Sequence, residues 1–276
     1  MNKRFLGIVV LIALTVILVS SGVAKLILKR SANLVDDTDL KNKESLLELA
    51  DSYRAKGDYA KAKDALEEFV EGFPDSRSAA KIQKDIEGLN IKILFSNIPT
   101  DDSFQYEIKP GDSLTKIAYR YNTTVELLKE SNLLETDLIL PGKFLKVNKA
   151  KFTLFVDKAE NTLTLRKTTG ETVKTYVVST GKDFSTPTGT FKIEEKLISP
   201  PWYKVGAGAV VQPESPDYEL GSRWMGISEP DYGIHGTADV SSIGQYITNG
   251  CVRMRNEDVE ELYAIVPSGT TVEIVE

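Results

Sequence analysis

The sequence predicts a multidomain α+β chain. Three observations carry that prediction: an uncharged apolar run near the N-terminus, amphipathic stripes with helical spacing after it, and alternating apolar residues broken by Gly and Pro from about residue 152 onward. With 276 residues there is room for two or three domains of roughly 100 to 200 residues. Hydrophobic residues at 41% and charged residues at 27% fit a folded protein and exclude a disordered or collagen-like one. The 34 basic and 40 acidic residues give a net charge of -6, so nucleic acid is not an expected partner. From Phe152 onward 11 basic residues face 18 acidic ones, which makes the C-terminal part the acidic one. A single His and a single Cys exclude an internal disulfide framework and any metal site built from several such ligands. Metal catalysis is not expected on this ground, although carboxylates alone could hold a structural cation.

Residues Phe5 to Ala24 form twenty uncharged positions. As a helix they would span about the 30 Å of a bilayer's hydrocarbon core. Residues 1–30 are therefore expected to be a membrane anchor, with a cleaved signal peptide as the alternative. Lys3 and Arg4 precede the run, and Lys25, Lys29 and Arg30 follow it, which favours an N-in, C-out orientation only weakly. Residues 31–40 are short, polar and acidic, and read as a linker.

Residues 41–98 read as a helical segment. Leu46, Leu49, Ala50 and Tyr53 share one stripe, Gly57-Asp58 makes a turn, and Ala62, Ala65, Leu66 and Phe69 share a second stripe. Pro74 ends the hairpin, and Asp75 or Ser76 is placed to cap a third helix from about Arg77 to Phe95. The spacing of Ala50, Tyr53, Gly57, Tyr59, Ala62, Phe69 and Pro74 resembles a tetratricopeptide repeat. One repeat is fewer than such units usually need, so a spacer role or a protein partner for the helical repeat is expected.

Residues 104–148 predict a compact βααβ unit: a strand at Tyr106-Glu107-Ile108, a Pro110-Gly111 turn, two short helices and a closing strand. Gly111-Asp112-Ser113-Leu114, Ile117-Ala118, Asn122, Leu127, Asn132 and Leu140-Pro141-Gly142 resemble a LysM domain. That resemblance implies binding to N-acetylglucosamine-containing glycan strands, chiefly peptidoglycan. The matching candidates are Gly111, Asp112, Ser113 and Leu114 on one side of a shallow groove, and Leu138, Ile139 and Pro141 on the other.

Residues 152–276 predict antiparallel strands at 152–157, 162–167 and 173–180, a further strand after Pro187 to Gly189, and a long aromatic excursion from Ser199 to Tyr232. Beyond the excursion, His235-Gly236-Thr237 precedes Thr248-Asn249-Gly250-Cys251-Val252-Arg253, with Cys251 sixteen positions after His235. A thiol has a free pKa of about 8.5, so a nucleophilic Cys needs a base or a positive field beside it. His235 is the one imidazole available to Cys251. The Gly236 carbonyl can orient the ring, amides around Asn249, Gly250 and Cys251 can face an oxyanion, and Arg253 can meet a substrate carboxylate. Trp224, Met225, Thr237 and Thr248 are the candidate substrate contacts, and Asn256 is placed to cap a helix from Glu257 to about Val266.

These two segments, preceded by Val177-Val178-Ser179-Thr180-Gly181-Lys182 and Thr186-Pro187-Thr188-Gly189-Thr190-Phe191, resemble the L,D-transpeptidase catalytic domain of the YkuD type. The resemblance implies a β-rich, sandwich-like domain acting on peptidoglycan stem peptides through a cysteine thioester, extracytoplasmically and without a cofactor. Asn249 departs from the pattern, since many members carry His there.

Overall fold

The structure is a computed structural model that describes residues 41–203 and 210–276. The predicted span Phe5 to Ala24 and the predicted linker 31–40 lie outside the described residues. Among the described residues no helix is long and apolar enough to cross a membrane. The chain divides into two compact units, Met1–Gln83 and Lys84–Glu276.

In the first unit a helix runs through residues 41–55 (α1), and α2 spans Tyr59–Gly72. Asp58 caps α2 by accepting from Lys61 N, which is why the Gly57-Asp58 pair ends one helix and starts the next. Ala50, Ala62, Ala65, Leu66 and Phe69 are buried as their spacing predicts, whereas Leu49, one position off the Ala50 face, is 43% exposed. The third helix, α3, spans Ala79–Leu94, with its residues from Lys84 on in the second unit, and begins two residues later than the Arg77 start expected.

The second unit contains the βααβ module and the C-terminal domain. Strand β1 (Ser103–Glu107) pairs antiparallel with β2 (Phe144–Asn148), and α4 (Leu114–Tyr121) and α5 (Val125–Glu130) lie between them in sequence. Ser113 caps α4 and Thr124 caps α5, each accepting from the amide three residues on, and Asn122 ends α4 in the left-handed conformation. Tyr106, Ile108, Leu114, Ile117, Ala118, Leu128, Leu145 and Val147 form the module's own core.

The C-terminal domain is built on β3 (Phe152–Asp157), β4 (Thr162–Lys167), β5 (Thr172–Val177), β7 (Gly189–Ile198), β10 (Arg223–Ile227), β11 (Gly233–His235), β13 (Val252–Arg253) and β14 (Thr271–Val275). They form one eight-stranded sheet in the order β13-β11-β10-β7-β14-β3-β4-β5. Two shorter pairs accompany it, β6 (Thr180–Gly181) with β12 (Tyr246–Thr248), and β8 (Trp202–Tyr203) with β9 (Val210–Val211). The expected antiparallel sheet is in fact mixed: β14 runs parallel to β3, and β11 runs parallel to β13. Helix α6 (Asn256–Ile265) buries Val259, Leu262, Tyr263 and Ile265 in the sheet's core and links β13 to β14. At the edge strand β5, Asn90 and Lys84 of α3 donate to the carbonyls of Val173 and Thr175, so side chains satisfy part of an otherwise open edge.

Candidate active site

The parallel pairing of β11 with β13 brings the two halves of the His/Cys motif together. Ile234 lies opposite Val252 and His235 opposite Arg253, which places Cys251 at the entry to β13. The fifteen intervening residues make a crossover that includes β12, not a hairpin, because the two strands run in the same direction. Met254 N donates to His235 O at 2.8 Å, and Gly236 N donates to Arg223 O at 3.2 Å, so both neighbouring strands hold the histidine backbone.

His235 is 4% exposed, and its ring stacks on Trp224 with centroids 6.1 Å apart. Its Nδ1 lies 2.7 Å from the Gly236 carbonyl oxygen. A carbonyl only accepts, so Nδ1 carries the proton and donates, and the lone pair is on Nε2. Burial lowers the imidazole pKa to about 4, with Gly236 opposing and the Arg253 charge adding to the fall. The ring is therefore neutral at pH 7 and able to accept a proton.

Cys251 is a half-buried free thiol. Its Sγ donates to the Asp231 carbonyl at 3.8 Å. Burial raises its pKa above the ordinary thiol value, while the Gly233 amide and Arg253 pull it back down and Asp231 adds to the rise. Resting thiol and resting imidazole are both neutral. Around the sulfur, Thr248 Oγ1 donates to Cys251 O at 2.7 Å and accepts from Gly250 N at 3.1 Å, which locks the turn. Gly250 has φ +126°, and a Cβ there would run into the Tyr232 ring. Glycine is thus required on both conformational and steric grounds.

His235 and Cys251 line one cavity of about 600 Å³, together with Lys182, Trp202, Glu219, Leu220, Asp231, Tyr232, Ile247, Thr248, Asn249 and Arg253. Of the sequence candidates, the structure gathers His235, Thr248, Asn249, Cys251 and Arg253 here. Arg253 does not present a free guanidinium: it donates to Glu219 at 3.0 Å and to Ser242 at 3.3 Å, leaving Nε without a partner. The Gly250 amide is taken by Thr248, so it is not a free oxyanion donor. Met225 is fully buried in the sheet core and offers no surface to a substrate. Trp224 acts through its stack on His235, and Thr237, 3% exposed, accepts from Asp239 N. Asn256 is not a cap: α6 begins with it, Arg255 takes the cap position, and the Asn256 Oδ1 accepts from Ser222 N at 3.0 Å. That oxygen also lies where Cβ atoms on Gly221 and Gly236 would fall, so both glycines make room for it.

Asp231 and Tyr232 belong to the site and carry no motif-level signal in the sequence, and Lys182, which ends the segment Val177 to Lys182, joins them although it is not one of the sequence candidates. They arrive through the parallel pairing of β6 with β12 and through the turn before β11.

In the βααβ module the candidates divide. Gly111, Leu138 and Pro141 are exposed and Ile139 is half-buried, but Leu114 is 2% exposed and belongs to the core, where no glycan reaches it. Asp112 accepts from Lys109 N at 2.9 Å and Tyr106 OH at 2.7 Å, and Ser113 caps α4, so both have structural work.

The family model for the L,D-transpeptidase catalytic domain matches residues 151–274, that for the LysM domain residues 106–148, and that for a tetratricopeptide repeat residues 44–76. A Bacillus licheniformis protein named as an L,D-transpeptidase, YkuD, is 34% identical over 178 residues, covering 61% of this chain and 97% of the relative. The chain belongs to the L,D-transpeptidase family. The Bacillus subtilis YkuD is 33% identical over 177 residues, with 61% of this chain and 97% of the relative covered. Among solved structures, an L,D-transpeptidase from Mycobacterium smegmatis aligns at 22% identity and a TM-score of 0.40, covering 50% of this chain and 65% of that one. Membership in the L,D-transpeptidase family rests on the sequence relatives.

Proposed function

We propose that the chain is an extracytoplasmic peptidoglycan L,D-transpeptidase that joins two stem peptides by a 3-3 cross-link, with Cys251 as nucleophile and His235 as base. The observation that carries the reading is the neutral imidazole of His235, fixed by the Gly236 carbonyl with its Nε2 lone pair free, in the same cavity as the one thiol of the chain.

Cys251 Sγ attacks the carbonyl of the third stem residue, a diamino acid, as its proton passes to His235 Nε2. The C–N bond to the terminal D-alanine then breaks, and D-alanine leaves with that proton, giving a thioester. The side-chain amine of a second stem attacks the thioester, the C–S bond breaks, and the thiol is restored, so no oxidant, reductant or metal is consumed. With the Gly250 amide occupied, the amides of Asn249 and Cys251 are the oxyanion donors. The LysM module holds the enzyme on glycan strands through the loops at Gly111 and at Leu138 to Pro141, and the apolar run Phe5 to Ala24 keeps it at the membrane's outer face.

Intact-mass spectrometry of the protein with disaccharide-tetrapeptide, alone and as Cys251→Ala, tests this reading. The expected result is a Cys251-dependent adduct, D-alanine release and a cross-linked dimer, with glycan binding retained in the variant. Tripeptide without dimer would instead mark an L,D-carboxypeptidase or a protein-to-wall transferase, and no adduct on a folded, glycan-binding protein would leave a wall-binding scaffold.

A further inference from the structure

The cavity holds an acid that the first half of this chemistry does not use. Asp231 lies in the turn just before β11, and its own main-chain carbonyl accepts from Cys251 Sγ at 3.8 Å. Its side chain makes no hydrogen bond or ion pair among the described residues, in contrast to Glu219 in the same cavity, which is held by Arg253. A carboxylate beside a nucleophilic sulfur opposes thiolate formation, and Asp231 does add to the rise in the Cys251 pKa. An unpaired acid at this position is therefore a cost to acylation.

The opposite charge, Lys182, lines the same cavity. Gly181 packs against Gly250 so closely that a Cβ on it would lie 3.0 Å from the Gly250 Cα, and Lys182 follows it directly. The Tyr232 ring covers the Gly250 turn from the Asp231 side. Lys182, like Asp231, has no ion pair among the described residues. The cavity that holds the sulfur is thus lined by a cation on the 181–185 segment and an acid on the 231–232 segment, neither of them ion-paired among the described residues.

The two substrates of a cross-linking reaction differ in the same way. A donor stem ends in a carboxylate, and an acceptor stem brings an ammonium that must lose its proton near the thioester. Resting on the transpeptidase reading above, we infer that Asp231 forms the acceptor subsite: its carboxylate binds the ammonium of the incoming stem in the cavity beside Cys251. The acceptor is accordingly an amine-bearing stem peptide, and transfer to it is favoured over hydrolysis by local concentration of that amine.

Asp231 has φ +68°, a conformation that Asn also tolerates, so Asp231→Asn removes the charge and keeps the turn. The experiment follows D-alanine release from disaccharide-tetrapeptide, the dimer-to-tripeptide ratio, and the dependence of dimer formation on tripeptide-stem acceptor concentration, in wild type and Asp231→Asn. Hydroxylamine, an uncharged nucleophile at neutral pH, serves as a second acceptor. The expected result is D-alanine release no slower than in wild type, an acceptor KM raised about tenfold for the stem amine, which is about 1.4 kcal/mol, and no rise in KM for hydroxylamine. Unchanged dependence on the stem amine, or an equal loss with both acceptors, overturns the inference while leaving the transpeptidase reading intact. No D-alanine release by the folded wild-type protein overturns both.

Discussion

His235 Nδ1 and the Gly236 carbonyl oxygen lie 2.7 Å apart within one buried pair of residues, so the chain fixes the histidine tautomer with its own next peptide group. The same burial lowers the imidazole pKa to about 4, against an ordinary value of 6.5. Between those values the unfolded chain binds a proton that the native chain does not, so stability is full above pH 6.5 and is lost as pH falls toward 4. The lost contribution is on the order of 3 kcal/mol. Thermal unfolding followed from pH 7.5 to pH 4 should show a fall in midpoint that is smaller in His235→Asn. Parallel curves for the two proteins would contradict the assignment.

Cys251 makes a second pH measurement available, because it is the chain's single thiol and every alkylation event reports on it. Burial is the largest influence on it and raises its pKa. The rate of reaction with iodoacetamide should keep climbing beyond pH 9, the usual thiol range. A plateau below pH 8 would mean that the sulfur rests as a thiolate, and the neutral Cys/His pair would have to be abandoned.

Much of this architecture is legible in local sequence. Alternation in Phe152 to Asp157 and Thr162 to Lys167 marks β3 and β4, and the caps Ser113 and Thr124 mark the helices of the βααβ unit. Local pattern also finds His235, Cys251 and the locking residue Thr248, since Gly-flanked polar residues at strand ends advertise a built turn. Long-range pairing leaves no such trace. The parallel partners of β3 and β13 come from 118 and 18 positions away, and nothing in either strand specifies direction. Lys182 and Asp231 reach the cavity only through that pairing. Leu114 and Met225 show the converse failure, in which proximity in sequence to motif residues suggests contact with a ligand but the helix face at Leu114 and strand alternation at Met225 turn the side chain inward.

The Asn256 side chain illustrates how a residue expected at a helix start serves the site by another route. Its Oδ1 accepts from Ser222 N at 3.0 Å and fills the space left by Gly221 and Gly236. Asn256→Ala should cost about 1 to 2 kcal/mol, because the Ser222 amide loses its acceptor. Since Gly236 holds His235, acylation should slow more than stability alone requires. Urea unfolding and single-turnover acylation, run side by side, separate the two effects, and an unaltered acylation rate would show that Asn256 has no hand in placing the histidine.

The LysM module and the catalytic domain share core residues, which is unusual for modules that only need to be tethered. Leu127, on α5 of the LysM module, is 1% exposed and belongs to the hydrophobic cluster of the catalytic sheet and α6. Beside it, the Thr124 hydroxyl donates to the Ala264 carbonyl in α6, and Lys151 Nζ donates to Tyr121 O at 2.9 Å. A buried Leu→Ala change costs roughly 2 to 4 kcal/mol where the cavity cannot collapse. Both tryptophans, Trp202 and Trp224, lie in the catalytic domain, so their fluorescence reports on that domain alone. Leu127→Ala should therefore lower the tryptophan-reported urea midpoint although the substitution lies in the other module. Were the LysM module an independent bead on the chain, the midpoint would stay where it is. A shift means that the LysM module and the catalytic domain unfold as one cooperative body.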